Sequence, residues 1–168
     1  KDDDKIPIDE SSRDDYRLRM ENRYLRKFVR RFDTKAEREQ ISNLSREFKE
    51  ELIEKGLLDW DQISYRFCGR HMTTLKFSEH FQTFALLLAD VVELLPTKEQ
   101  EADLVRQKEH PSDEYYFATA EEITALGINT KTNALKEIIA DHTKKILQEN
   151  EGQLMKKGNV GHRYTVNL

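Results

Sequence analysis

A glycine between two capped segments is the feature that most constrains the fold of this chain. Thr119 and Glu122 have the spacing of a capping box, which predicts a helix that begins at residue 120. Gly127 follows about two helical turns later and predicts a sharp turn, because a residue without Cβ adopts positive φ at no steric cost. Thr130 stands where it would cap a second helix, over residues 131–148, whose apolar positions have a helical period.

The end of the chain is predicted to form a β-hairpin. Leu154 and Met155 are assigned to one strand, and residues 162–168 alternate polar and apolar side chains, as a half-buried strand does. The loop between them, residues 156–161, contains two lysines and two glycines. We therefore expect a basic hairpin behind the helix pair.

This order of two helices, a glycine turn and a basic hairpin resembles a winged helix-turn-helix module over residues 119–168. The resemblance implies that the second helix enters a groove of duplex DNA while the hairpin contacts phosphates. Asn133 departs from the family pattern, because its position usually carries a buried β-branched residue. The residues that the resemblance assigns to DNA are Asn129, Lys131, Thr132, Asn133, Lys136, Lys156, Lys157 and Arg163.

Apolar stripes predict that the chain before this module is a helical bundle. In this bundle, helices are expected over residues 14–31, 34–55, 78–95 and 97–109, with a further short helix over 59–67. The first helix of the module is expected over residues 120–126. The fold class predicted is mainly α, with a tag-like or disordered acidic tail at 1–12, the bundle at 13–110 and the winged-helix-like module at 111–168. The expected core comprises Phe81, Phe84, Leu87, Leu88 and Val91, with Phe28, Leu44, Phe48 and Leu52 packed against them.

A second basic surface is predicted on the first helix, since residues 13–31 contain eight basic and three acidic residues. Three interpretations stay open: an RNA-binding helix, a helix that docks on a protein partner, or a solvated face without a partner. The side chains assigned to this surface are Arg19, Arg23, Arg26, Lys27, Arg30 and Arg31.

No catalytic or metal-binding constellation stands out in the sequence. The single Cys68 excludes an intramolecular disulfide and is expected to be an inert core residue. Cys68 and His71 lack a context that would activate a thiol, and no cysteine pair has the spacing of a zinc site. These observations predict no cofactor, no metal and no enzymatic activity.

The predicted function is therefore that of a non-enzymatic DNA-binding accessory or regulatory protein of replication, transcription or mobile elements. The alternatives are a helical protein–protein interaction adaptor that docks through its arginine-rich helix, or an RNA-binding protein. No apolar run is long enough to span a bilayer and no signal peptide is present. We expect a cytoplasmic protein in a reducing compartment, without membrane contact.

Overall fold

The computed structural model describes residues 6–7, 18–34, 45–46, 48–110, 112–156, 158 and 160–168. The chain divides into two units, Lys1–Leu44 and Ser45–Leu168. Its architecture combines helices with an antiparallel sheet, so the predicted mainly α fold is wrong. No helix in these ranges is long and apolar enough to cross a membrane.

The described part of the first unit contains one α-helix. A 3₁₀ turn, Asn22–Tyr24, leads into α1, Leu25–Thr34. Phe28 and Phe32 stack on one side of α1 with their ring centroids 6.1 Å apart, as the apolar stripe predicts. The helix predicted over 14–31 begins later than expected, since residues 18–21 are not helical, and residues 14–17 lie outside the described ranges.

The helix predicted over 34–55 is seen only in part. Residues 35–44 and 47 lie outside the described ranges, while residues 45, 46 and 48 are helical. A π-helical turn, Lys49–Ile53, follows, and Gly56 at φ 70° ends this segment. Gly56 directly follows the predicted end of this helix at residue 55, and the left-handed conformation found there favours glycine.

Strand β1, Gln62–Met72, is the centre of the second unit. Its residues Ile63, Tyr65 and Phe67 are buried and alternate with more exposed neighbours, which is the two-residue period of a strand. The short helix predicted over 59–67 is therefore wrong. Burial of every second side chain against the core favours a strand here.

Six further strands complete the β-structure of the described residues. They are β2, Lys76–Ser78; β3, Thr83–Ala85; β4, Leu88–Leu94; β5, Ile128–Asn129; β6, Ala134–Leu135; and β7, Arg163–Asn167. β1 lies between β4 and β7 and pairs antiparallel with both, whereas β2–β3 and β5–β6 form separate hairpins. The β2–β3 hairpin continues the β1–β4 ladder, where the Thr73 amide donates to the Leu87 carbonyl at 3.0 Å.

The helix predicted over 78–95 is wrong, because Phe84 lies in β3 and Leu88 lies in β4. A continuous apolar run fits a buried helix and a buried strand equally well by periodicity. The β4 side chains are half-buried on both faces of the strand, Asp90 excepted. Pairing with β1, which lies earlier in the chain, decides between the two structures.

The core lies around β1. Ile63 is 1% exposed, and the Trp60 indole stacks on Phe48 with centroids 5.6 Å apart. The predicted core is wrong at its centre, because Phe81 and Phe84 are 39% and 65% exposed. Leu87, Leu88, Val91, Phe28, Phe48 and Leu52 are half-buried, and Leu44 lies outside the described ranges. The buried apolar side chains of the second unit are Leu58, Trp60, Ile63, Tyr65, Phe67, Cys68, Leu154 and Val166.

Two capped helices begin where the sequence predicts. α2, Lys98–Glu109, starts with Thr97, whose hydroxyl accepts a hydrogen bond from the Gln100 amide at 3.2 Å. α3, Ala120–Thr124, starts with the predicted capping box of Thr119 and Glu122. Both helices are set by contacts within four residues, which explains why local sequence was sufficient to place them.

The second helix of the predicted helix pair is replaced by the β5–β6 hairpin. The side-chain oxygen of Asn129 accepts hydrogen bonds from the amides of Lys131 and Thr132, at 3.0 and 3.1 Å. Asn133 takes a left-handed conformation, with φ 55°. Such local side-chain bonds compete with helix formation. The chain becomes helical again only as two 3₁₀ segments, Asp141–Ile146 and Gln148–Gln153.

The predicted C-terminal hairpin does not form either. β7 is a strand, as expected, but it pairs with β1 rather than with residues 154–155. Met155 instead exchanges two backbone hydrogen bonds with Arg70, of 3.0 and 2.8 Å. The recognition helix and the wing of the winged helix-turn-helix prediction are thus both wrong.

Candidate functional site

A β-bulge at Cys68 determines which side chains of β1 share a face. Phe67 lies opposite Val92 on β4, and Arg70 lies opposite Asp90. Val92 and Asp90 are two residues apart and therefore point to the same face of the sheet, so Phe67 and Arg70 share that face as well. The bulge thus turns Arg70 toward the face that carries the apolar core. It leaves the charged residues on the other face of β1 as a separate set.

Arg70 is a buried cation with a bidentate partner. Its side chain is 3% exposed, and its Nε and Nη2 donate to the two carboxylate oxygens of Asp90 at 2.5 and 3.0 Å. Such a paired fork is among the stronger hydrogen-bonded arrangements in proteins. We assign this pair to the stability of the sheet, since the guanidinium is enclosed and not accessible to a ligand.

The opposite face of β1 carries a set of charged side chains that we call the charge cluster. Arg66 donates from Nε to Glu93 at 2.6 Å, and Lys156 lies 3.5 Å from Glu151. Glu151 is close enough to act on Arg66 electrostatically. Arg163 lies directly opposite Arg66 in the β1–β7 ladder, so their side chains share this face. The charge cluster comprises Arg66, Glu93, Glu151, Lys156 and Arg163.

The opposed arginines make this face electrostatically suited to an anion. Like charges directly opposite on neighbouring strands destabilise a sheet. Arg66 is compensated by Glu93, whose hydrogen bond is the main reason that the pKa of Arg66 is raised. Arg163 is exposed and forms no ion pair with any residue that the structure describes. The hydroxyls of Ser64 and Thr165, 2.8 Å apart on the same face, add polar groups beside the arginines.

Two further titratable groups of β1 have perturbed pKa values. Burial raises the pKa of the Cys68 thiol, and nearby Arg66 only partly opposes this effect. The thiol is therefore protonated near neutral pH and is a poor nucleophile, as the sequence predicts. Burial lowers the pKa of His71, and Lys145 and His142 lower it further. His71 is on the charge-cluster face, where it opposes Ala89, so this face carries a neutral imidazole.

A second charged pair holds the β5–β6 hairpin to α3. Glu122 is 6% exposed, and its carboxylate lies 2.6 Å from Lys136 Nζ. The same carboxylate accepts from the Thr119 amide at 3.0 Å, which completes the cap of α3. The Lys136 ammonium also lies 5.8 Å from the centre of the Tyr116 ring. Lys136, which was predicted to contact DNA, is thus engaged within the fold.

The free energy of unfolding should depend on pH through the carboxylate of Glu122. Its hydrogen bond with Lys136 is the largest of the effects that lower its pKa. A lowered pKa stabilises the folded protein above the unfolded-state value, about 4.3, and this contribution is lost as pH falls through the folded-state value. We expect E122Q to be less stable at pH 7 and to lose less on acidification than the wild type, in urea unfolding between pH 7 and 3.

The matched control is E121Q, which removes an exposed carboxylate from the same first turn of α3. The pH dependence of E121Q should follow that of the wild type. If E122Q and E121Q show the same pH dependence, the Glu122–Lys136 pair does not contribute as described.

The structure brings together only part of the predicted DNA-binding set. Lys156 and Arg163 both belong to the charge cluster, but Lys131 and its neighbours lie in the exposed turn between β5 and β6. Lys157 lies outside the described residues. Arg66 and Glu93 were missed at the sequence level. The alternation of residues 62–67 was the signal that could have placed Arg66 on a polar face.

The second basic surface lies in the first unit of the chain. Arg23 pairs with Glu21 at 3.0 Å, and its guanidinium lies 4.9 Å from the centre of the Tyr24 ring. Arg26, Lys27, Arg30 and Arg31 lie on α1. A protein partner at this helix stays a prediction.

Carboxylate and imidazole side chains do not gather into a metal site within the described ranges. No group of three His, Cys, Asp or Glu residues there is arranged to hold a metal ion. Glu93 and Glu151 are instead each paired with a cation.

These features define a mixed α/β domain, in which an antiparallel sheet carries opposed cations on one face. The chain belongs to the SMODS-associated NUDIX domain family, whose family model matches residues 1–147. No curated protein and no solved structure matches the chain.

Family membership corrects the functional predictions. A NUDIX-type fold replaces the winged helix-turn-helix module, and the prediction of a DNA-binding regulator is wrong. The prediction that the chain is not an enzyme is also wrong, because NUDIX domains are typically hydrolases. The DNA-binding prediction failed because the β5–β6 hairpin occupies the place of the expected recognition helix. The non-enzyme prediction rested instead on the lack of a catalytic motif in the sequence.

Proposed function

We propose that this chain hydrolyses a nucleotide substrate and that the charge cluster binds the substrate's phosphate groups. The reaction class follows the family, since NUDIX domains are typically hydrolases that act on nucleotides. The location of the site rests on Arg66 and Arg163, which lie opposite each other on neighbouring strands. Arg163 forms no ion pair with a described residue. An anionic ligand between the two guanidinium groups would remove their repulsion.

The chemistry of such a site follows from its charges. In hydrolysis of a phosphoanhydride, a water oxygen bonds to phosphorus, the bond to the leaving phosphate breaks, and the water loses a proton. Arginine guanidinium groups match phosphate oxygens in a bidentate geometry and stabilise the charge on them. Glu93 would hold Arg66 in place through its 2.6 Å hydrogen bond.

The family description also bears on the biological role. Because these NUDIX domains are described as SMODS-associated, we propose that the hydrolysis serves an effector function in a SMODS-associated assembly. The nucleotide substrate would then be one that such an assembly encounters.

The test is turnover by the purified chain on a nucleotide panel. We would incubate it with nucleoside triphosphates, nucleotide sugars, dinucleoside polyphosphates and cyclic dinucleotides, with Mg²⁺ or Mn²⁺ added, and separate the products by chromatography. R163A should lower kcat/KM for the best substrate by roughly 10- to 100-fold, the usual loss for one hydrogen-bonded charge.

The matched control is R106A, which removes an exposed arginine from α2, where it pairs with Asp103 at 3.1 Å. Its kcat/KM should stay within about two-fold of the wild type. Absence of turnover on every nucleotide class with either metal would overturn the hydrolase proposal. Turnover that R163A and R106A leave equally unchanged would refute the location of the site.

A further inference from the structure

Glu151 places a second carboxylate in the charge cluster. Its Oε1 lies 3.5 Å from Lys156 Nζ, and its charge also acts on the guanidinium of Arg66. The cluster holds three cations against the two carboxylates of Glu93 and Glu151, so its net charge is +1. Glu151 therefore occupies part of the positive potential that an anionic ligand would meet.

The backbone fixes Glu151 at this position. Gly69 belongs to the charge-cluster face, because its partner on β4 is two residues away from Glu93. A Cβ on Gly69 would come within 2.9 Å of the Leu154 Cβ, so only a glycine lets this segment approach β1 so closely. Leu154 is 4% exposed, and its amide donates to the Glu151 carbonyl at 3.0 Å. Packing of Leu154 on Gly69 thus holds Glu151 against the charge cluster.

The two carboxylates of the charge cluster are held with different strength. Glu93 accepts a short hydrogen bond of 2.6 Å from Arg66, which is the geometry of a strong charge-assisted contact. Glu151 lies 3.5 Å from Lys156, at the limit of a hydrogen bond, and the two side chains are 37% and 51% exposed. An ion pair of this length in contact with water contributes little to stability. A ligand can therefore displace Glu151 at low cost, whereas Glu93 stays bound.

Lys156 has a second contact that keeps it in the cluster when Glu151 is displaced. Its Nζ also donates to the backbone carbonyl of Cys68 at 3.3 Å. An ammonium group has three donors, so one can stay on this carbonyl while another turns from the carboxylate to a ligand oxygen. Phosphate oxygens accept such charge-assisted hydrogen bonds as carboxylate oxygens do.

We propose that Glu151 limits the affinity of the phosphate site, because it engages Lys156 in the free protein and releases it to a phosphate group of the substrate. This inference rests on the proposed function, since it takes the charge cluster as the phosphate site. Binding then exchanges an internal ion pair for one with the ligand. The affinity for phosphate is accordingly lower than the three cations would give without Glu151.

The experiment is a titration of the full chain with inorganic pyrophosphate, without added metal, followed by ¹H–¹⁵N NMR. Shifts of the Arg66 and Arg163 amide signals report binding at the charge cluster. E151Q should bind pyrophosphate about three- to ten-fold more tightly than the wild type, since it removes a negative charge and releases Lys156. This gain should shrink at about 0.5 M salt, because salt screens charges in contact with water.

Two controls separate this effect from a general change of charge. E149Q removes an exposed carboxylate from the same 3₁₀ segment, and its affinity should stay within about two-fold of the wild type. In a K156Q background, the gain from E151Q should fall to about two-fold or less, because no lysine remains to be released.

The outcomes distinguish this inference from the proposed function. If the wild type binds pyrophosphate and E151Q binds it no more tightly, the inference is overturned while the phosphate site stands. Equal gains for E151Q and E149Q, or for E151Q with and without Lys156, would overturn it as well. If neither the wild type nor E151Q binds pyrophosphate, the charge cluster is not a phosphate site, and both proposals about it are wrong.

Discussion

Replacing Gly127 by alanine is expected to lower the free energy of unfolding by at least about 4 kcal/mol. A Cβ on this residue would lie 1.6 Å from the carbonyl oxygen of Glu137 and 2.8 Å from its carbonyl carbon. The neighbouring backbone is held by hydrogen bonds from the Lys136 amide to Gly127 and from the Ile139 amide to Leu126, of 3.0 and 3.3 Å. Either these bonds break or the clash remains.

The cost of backbone strain can be separated from this clash. Gly161 has a similar φ, +84° against +94° for Gly127, and a Cβ added there would meet nothing within 4 Å. G161A should therefore lose only about 1–2 kcal/mol, the cost of the left-handed conformation. Urea unfolding followed by circular dichroism measures both variants. Equal losses for G127A and G161A would show that residues 136–139 do not pack on the glycine turn.

Replacing Arg70 by alanine is expected to lower the free energy of unfolding by about 3–5 kcal/mol. The change removes both hydrogen bonds to Asp90 and the packing of an arginine side chain that is 3% exposed. Asp90 is 29% exposed, so water partly screens the carboxylate that is left, which favours the lower end of the range. The measurement is again urea unfolding at pH 7.

R106A and R70M/D90L serve as controls for the predicted effect of R70A on stability. R106A removes an exposed arginine, and its loss should stay below about 0.5 kcal/mol. The double variant R70M/D90L replaces the whole ion pair by apolar side chains and should recover much of the stability, because paired buried charges are expensive to desolvate. A loss below about 1 kcal/mol for R70A would contradict the structural role assigned to Arg70.

Under the proposed function, one face of β1 serves stability and the other serves ligand binding. Arg70 lies with the core residues, whereas Arg66 and Arg163 lie on the opposite, charged face. R70A should therefore affect folding first, and R163A should affect substrate turnover in a protein of nearly unchanged stability. Activity can be lost because the protein unfolds or because a phosphate contact is removed. Comparing R70A with R163A distinguishes these two causes.

Much of the local structure was predictable because it depends on neighbours in the chain. The capping boxes at Thr97 and Thr119 correctly marked the starts of α2 and α3. Gly127 has the positive φ that its position between two segments predicted. The alternation of residues 163–167 correctly indicated a strand. Each of these signals acts over a few residues, through a side-chain cap, a steric limit on φ or the two-residue period.

The candidate site was only partly predictable. Lys156 and Arg163 were singled out as basic residues near a phosphate, but they were assigned to a DNA-binding wing. Arg66, which opposes Arg163, lies far away in the sequence, so no local pattern connects the two. The β1–β7 register alone makes them neighbours.

The amino-acid sequence by itself determined the helix starts, the glycine turn and the last strand, because caps, steric limits and side-chain alternation act locally. Only the tertiary structure decided that residues 62–72 and 88–94 pair as strands. It also decided that residues 128–135 form a hairpin after α3. Apolar runs satisfy a helix or a strand alike, and the choice depends on which partner strand buries them.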